Sequence, residues 1–93
     1  MMSEVIISRK ANKQLEKVPD YMREKLEDWA KNVQIFGIRA VRENKGFHDE
    51  PLKGKRKGER SIRLSKQWRA IYWEIHNSIY IEVLEVTPHE YKK

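Results

Sequence analysis

Two consecutive segments, Trp68 to Ile75 and Ile79 to Val86, carry apolar side chains on both of their alternating faces. In the first, Ile71, Trp73 and Ile75 share one face, while Trp68, Ala70 and Tyr72 share the other. Strands apolar on both sides belong inside a sheet, so this chain must supply flanking strands and a covering layer. His76-Asn77-Ser78 reads as the turn between them, and Ser65-Lys66-Gln67 as the turn before. Upstream, Arg60 to Leu64 alternates, with Ile62 and Leu64 directed to the core and Ser61 and Arg63 directed away from it.

The amino-terminal half supplies the cover. Glu4-Val5-Ile6-Ile7 is short and β-branched and reads as a first strand. Ser8 is placed to cap a helix with Ala11, Leu15 and Val18 on one face. Pro19 ends that helix and starts the next, where its missing N–H does no harm. Met22, Leu26, Trp29, Ala30 and Val33 then form one apolar stripe, with Arg23, Glu24, Glu27, Asp28 and Lys31 on the other sides. Gly37 stops this helix, Ile38 to Asn44 adds a helical turn or two, and Gly46 opens a loop. The order is β-α-α-β-β-β, which predicts an α+β fold: two helices packed on a small antiparallel sheet, in one domain spanning residues 1–93.

The rest of the composition narrows the partners. Hydrophobic residues make up 39% and charged residues 37%, with a net charge of +6. Such a basic balance favours nucleic acid, acidic protein or an anionic surface. No apolar run reaches membrane-span length, and the amino terminus does not read as a signal peptide, since its apolar run is only Val5 to Ile7. There is no cysteine, so disulfides and thiolate metal sites are excluded, and the expectation is a cytoplasmic protein without a membrane partner. His48, His76 and His89 lack metal-ligand spacing, no phosphate-binding glycine loop or nucleophile elbow is present, and no cofactor or metal is expected.

Chemistry concentrates in one segment. From Lys53 to Arg69 there are eight Lys or Arg residues and a single acid, Glu59. Lys55, Arg56 and Lys57 read as a solvated loop or a polyanion-binding rim. Arg69 begins a row of apolar residues, which requires that its charge be paired or lie at a wet concavity. Glu50 precedes Lys53 by three residues, and His89 follows the last strand. Carboxylate and imidazole together can act as base and acid, while Lys and Arg neutralise developing phosphate charge.

The blocks "EPLKG" (Glu50 to Gly54), "RSIRL" (Arg60 to Leu64), "WRAIY" (Trp68 to Tyr72) and "EVTPHEY" (Glu85 to Tyr91) resemble the RelE/ParE toxin superfamily of bacterial toxin–antitoxin systems, in particular its HigB, RelE and YoeB type mRNA interferases. The resemblance extends over essentially the whole chain through the order of elements. It implies a metal-independent, ribosome-dependent endoribonuclease that cleaves mRNA through attack of the ribose 2′-hydroxyl on the adjacent phosphate. It further implies Glu50 as general base, Lys53 and Arg69 as stabilisers of the phosphorane, and His89 and Tyr91 as the acid and base-stacking pair. Arg63 or Arg60 would assist. His89 and Tyr91 are separated by Glu90 rather than adjacent, which leaves open which of them protonates the leaving oxygen. On this reading Lys55, Arg56, Lys57, Arg60 and Arg63 bind RNA, and the partners are a cognate antitoxin, ribosomal RNA and mRNA. Two other readings stand beside it: a ParE-like gyrase inhibitor without nuclease activity, and a plain RNA-binding domain with Trp68, Tyr72 and Tyr80 as stacking platforms.

Overall fold

The strands are β1 (Glu4–Ile7), β2 (Glu50–Pro51), β3 (Arg60–Arg63), β4 (Trp68–Ile75) and β5 (Tyr80–Pro88), in a computed structural model that describes residues 3–88. They form one sheet in the order β1-β5-β4-β3-β2, so the two strands that are apolar on both faces occupy interior positions. The helices are α1 (Arg9–Leu15), α2 (Asp20–Phe36) and a short α3 (Ile38–Arg42).

The sheet departs from the expected antiparallel arrangement at one edge. β2 through β5 pair antiparallel, but β1 runs parallel to β5, in register from Glu4 opposite Tyr80 to Ile7 opposite Val83. Parallel neighbours need a long crossover, and here the helices and the whole meander lie between the two strands. The two-residue strand β2 adds to the predicted order, and the helical turns expected from Ile38 to Asn44 form α3.

Local chemistry explains the helix ends. Ser8 Oγ accepts from the Ala11 amide (3.0 Å) and donates to the Leu84 carbonyl (2.8 Å), tying the start of α1 to β5. Where β1 ends, Gln14 Oε1 takes over its role and accepts from the Val86 amide at 2.7 Å. Arg23 Nη1 donates to the carbonyls of Leu15 and Val18, closing the carboxy end of α1. Gly37, with φ 87°, ends α2 and begins α3 in a conformation that a side chain would strain.

The predicted stripe of α2 is the core. Met22, Leu26, Trp29 and Val33 are buried against Ile62, Ala70, Tyr72, Ile81, Val83 and Val86, with Ala30 packed at the margin. The Trp29 and Tyr72 rings meet at 5.1 Å between centroids. Val83 and Val86 both reach this core although three residues apart, because a bulge opposite Ile71 and Tyr72 inserts Leu84 and shifts the alternation by one. Tyr72 is fully buried and is therefore no base-stacking platform.

A polar seam runs beside this core. Glu74 pairs with Arg42 of α3 and accepts from Ser78 Oγ. Burial alone would raise its pKa, but the bonds from Ser78 and Arg42 outweigh that and hold it below the ordinary carboxylate range. A depressed folded-state pKa contributes stability above the unfolded value, and this stability is lost as pH falls through the folded one. Acid unfolding is thus expected to steepen below about pH 4. In urea titrations across that range, Glu74→Gln should show a flatter pH dependence than the native chain; an unchanged slope would count against this linkage.

Candidate active site on the open face of the sheet

Helices cover one face of the sheet, and the other carries the chemistry. Register places Glu50, Ser61, Ile71 and Glu85 in one row across β2, β3, β4 and β5, and Arg63, Arg69 and Thr87 in the next. Arg69 is the centre of this surface. Its side chain is only 13% exposed, its Nη1 donates to Ser61 Oγ at 2.9 Å, and the same nitrogen lies 3.4 Å from Glu50 Oε2. The required pairing of Arg69 is therefore met by a fully buried serine and a carboxylate at the rim.

Glu50 itself is 62% exposed, so its ion pair adds little to stability. What it does have is a fixed root. Asp49, the preceding residue, turns its side chain inward, where it is 1% exposed. It receives Arg60 Nε at 2.5 Å and the Tyr72 hydroxyl. Burial and the bond to Asp49 push the Tyr72 hydroxyl well above its ordinary pKa, so it remains a donor. Consecutive residues of a strand point to opposite sides, so anchoring Asp49 inward holds Glu50 outward beside Arg69.

The basic segment divides into two kinds of residue. Lys53, Lys55 and Lys57 are exposed on or beside a single 3-10 turn at Gly54–Arg56. Arg56 instead bridges two acids, with Nε 2.7 Å from Glu59 and Nη1 2.5 Å from Glu85. Arg60 is committed to Asp49, and Arg63 is half-buried on the open face next to Arg69. Internal acids thus neutralise Arg56 and Arg60 within the dense positive run, while the exposed lysines present their charge outward. His89 and Tyr91 lie outside the described residues; the last described residue, Pro88, pairs with Trp68 beside Arg69. Among the described residues no group of three or more His, Asp or Glu side chains is arranged to hold a metal ion.

The contacts of three residues that build this site escape a reading of the sequence: Ser61, Asp49 and Glu85. Ser61 was legible as pointing away from the core with Arg63, but its bond to Arg69 depends on the β3–β4 register. Asp49 and Glu85 have partners far along the chain and no local signal.

The geometry invites comparison with solved structures. The chain is similar to the YoeB/ParE toxin from Agrobacterium tumefaciens, with a TM-score of 0.73 and 21% identity, over 94% of this chain and 99% of that one. An archaeal RelE–RelB complex from Pyrococcus horikoshii OT3 matches with a TM-score of 0.72 and 22% identity, over 95% and 96% of the respective chains. The RelBE toxin–antitoxin complex of Mycobacterium tuberculosis matches at 0.69 and 19% identity, over 97% of this chain and 100% of that one. Neither protein-family models nor curated protein sequences match this sequence. Agreement over whole chains at such low identity is agreement of architecture: this chain has the fold of the RelE and YoeB toxins.

Proposed function

We propose that this chain is the toxin of a toxin–antitoxin pair and a metal-independent endoribonuclease that cleaves mRNA on the ribosome. The observation that carries this reading is the Glu50–Arg69–Ser61 constellation on the open face of a RelE-like sheet. Glu50 removes the proton from a ribose 2′-hydroxyl, and the freed oxygen attacks the adjacent phosphorus. Arg69 and Lys53 bear the charge that develops on the non-bridging oxygens. His89 or Tyr91 protonates the departing 5′-oxygen, leaving a 2′,3′-cyclic phosphate and a 5′-hydroxyl. Two observations support the placement of the acid: β5 runs toward Arg69, and His89 directly follows Pro88 in the chain. The reading makes the protein cytoplasmic, with ribosomal RNA, mRNA and an antitoxin as partners. Two of the similar structures are complexes of a toxin with its antitoxin, and the net charge of +6 suits an acidic binding segment.

The test is induction in bacteria with mapping of RNA ends, followed by cleavage on programmed ribosomes. Cleavage of translated messages, lost when the target ribose is 2′-deoxy, is the expected result. DNA damage with intact messages would instead favour a gyrase inhibitor, and normal cleavage at a 2′-deoxy site would overturn the mechanism.

The division of the basic segment yields its own prediction. Lys55→Ala or Lys57→Ala should leave cleavage nearly intact and reduce the salt dependence of ribosome binding by about one unit of logarithmic slope. Arg60→Ala should instead lower the thermal midpoint, because it strips a buried carboxylate of its partner. Equal salt slopes for the lysine variants and the native chain would remove these lysines from the docking surface.

A further inference from the structure

We infer that Glu85 is a positioning residue for the proposed reaction: it clamps the loop of residues 53–58 across the open face of the sheet and so fixes Lys53. This inference rests on the nuclease reading above for its catalytic consequence, although the clamp itself is independent of it. Glu85 lies on β5 just beyond the end of β1, and its side chain is 12% exposed. A carboxylate so placed is costly unless paired. It receives Arg56 Nη1 at 2.5 Å and Lys10 Nζ at 2.9 Å. The bond from Lys10 and the pairing with Arg56 hold its pKa below the ordinary range against the opposing effect of burial, so it stays charged as an anchor.

Arg56 belongs to the connection between β2 and β3, whereas Glu85 is two strands from β3. To reach it, the arginine spans β4 at the register of Ile71, which is 6% exposed although it faces away from the helices. The loop is built to be held this way. Gly54 (φ 66°) and Gly58 (φ 99°) bend the chain at either side, with open space where a Cβ would stand, so their role is in the backbone. Between them the Arg56 amide donates to Lys53, the Lys57 amide to Gly54, and the Glu59 amide to Arg56. Arg56 Nε then binds Glu59 at the end of the same loop. The result is a closed ring: its base is held by the short β2–β3 ladder and by the Leu52 amide, which donates to the Glu59 carbonyl at 2.9 Å, and its far side is held by Glu85 on the sheet floor. Lys53 opens that ring and its carbonyl accepts from the Arg56 amide at 3.3 Å, so holding Arg56 on Glu85 also holds the backbone from which Lys53 projects.

The experiment compares Glu85→Gln, Glu85→Asp and Arg56→Gln with the native chain by hydrogen exchange, ribosome binding and single-turnover cleavage. Glu85→Gln and Arg56→Gln should each speed exchange of the Arg56, Lys57 and Glu59 amides by about tenfold or more, without changing the amides of β4. Cleavage should fall by about ten- to a hundredfold, as expected for a displaced charge-stabilising group, while ribosome binding changes little. Glu85→Asp should recover part of both effects. Unchanged loop exchange in Glu85→Gln and Arg56→Gln would overturn the clamp, as would equal losses of binding and cleavage. If Glu85→Gln does not fold, Arg56→Gln alone decides the matter from the other side of the bond. A native chain that binds ribosomes but cleaves nothing would defeat the nuclease reading, whereas the exchange measurement would still decide the clamp.

Discussion

Arg69→Ala is expected to lower single-turnover cleavage by about a hundredfold to a thousandfold, the loss typical of removing one preorganised electrostatic group. Its guanidinium is nearly enclosed, held by Ser61 Oγ and directed along the rim at Glu50. Such a group need not reorganise when charge develops on a phosphate, and this is what makes it effective. Arg69→Lys should restore only a small part of the rate, since an ammonium lacks the planar fork that can bind Ser61 and a phosphate oxygen together. Ribosome binding should survive in both variants, because the exposed lysines of the loop are untouched. A companion Ser61→Ala variant should fall between them, since it keeps the charge and loses its orientation. Toxicity on induction gives the coarse readout and cleavage on programmed ribosomes the quantitative one. If Arg69→Ala cleaves at the native rate while folded, the centre of the site has been misplaced.

Much of this surface could be read before any coordinates, for reasons that are local. Alternation within β3 assigns Ile62 and Leu64 to the core and Ser61 and Arg63 to the other face; within β4 it separates Ala70 and Tyr72 from Arg69 and Ile71, and the pairing with β3 decides that the first pair faces the core. The helical stripe from Met22 to Val33 is equally local, set by the turn of one helix. Legibility fails where a feature depends on pairing between distant segments. The parallel placement of β1 beside β5 pairs segments far apart in the chain, and nothing in Glu4 to Ile7 encodes it. The bulge at Leu84 shifts parity by one residue, which hides that Glu85 and Ser61 share a row. Arg56 illustrates the same limit: among Lys55, Lys57 and other cations it looks like one more solvated charge. Its commitment to Glu59 and Glu85 sets it apart from both lysines.

Asp49→Ala should be the most destabilising single change near the site, by about 3 kcal/mol, because breaking a buried charged network leaves its remaining members without partners. The carboxylate is 1% exposed and serves two donors, Arg60 Nε and the Tyr72 hydroxyl, the latter in the middle of the core against Trp29. For a domain of this size the loss corresponds to a fall in the thermal midpoint on the order of 15 °C. Tyr72→Phe removes only one of the two donors and keeps the ring packing, so its cost should be nearer 1 kcal/mol. The double change Asp49→Ala with Tyr72→Phe should then cost less than the sum of the singles, since the phenylalanine no longer needs an acceptor. Urea unfolding of the four proteins measures that coupling directly. Strict additivity would mean that the two groups do not share the bond seen in the structure. The functional consequence follows from the adjacency of Asp49 and Glu50: once the anchor is lost, the carboxylate is held at the rim by backbone pairing alone, the two-residue ladder to Ser61 and Arg60 and the Leu52 amide on the Glu59 carbonyl. Cleavage by Asp49→Ala, measured well below its own melting temperature, should therefore fall even where the protein is still folded. Arg69→Ala should show the opposite balance, a loss of rate out of proportion to its smaller loss of stability.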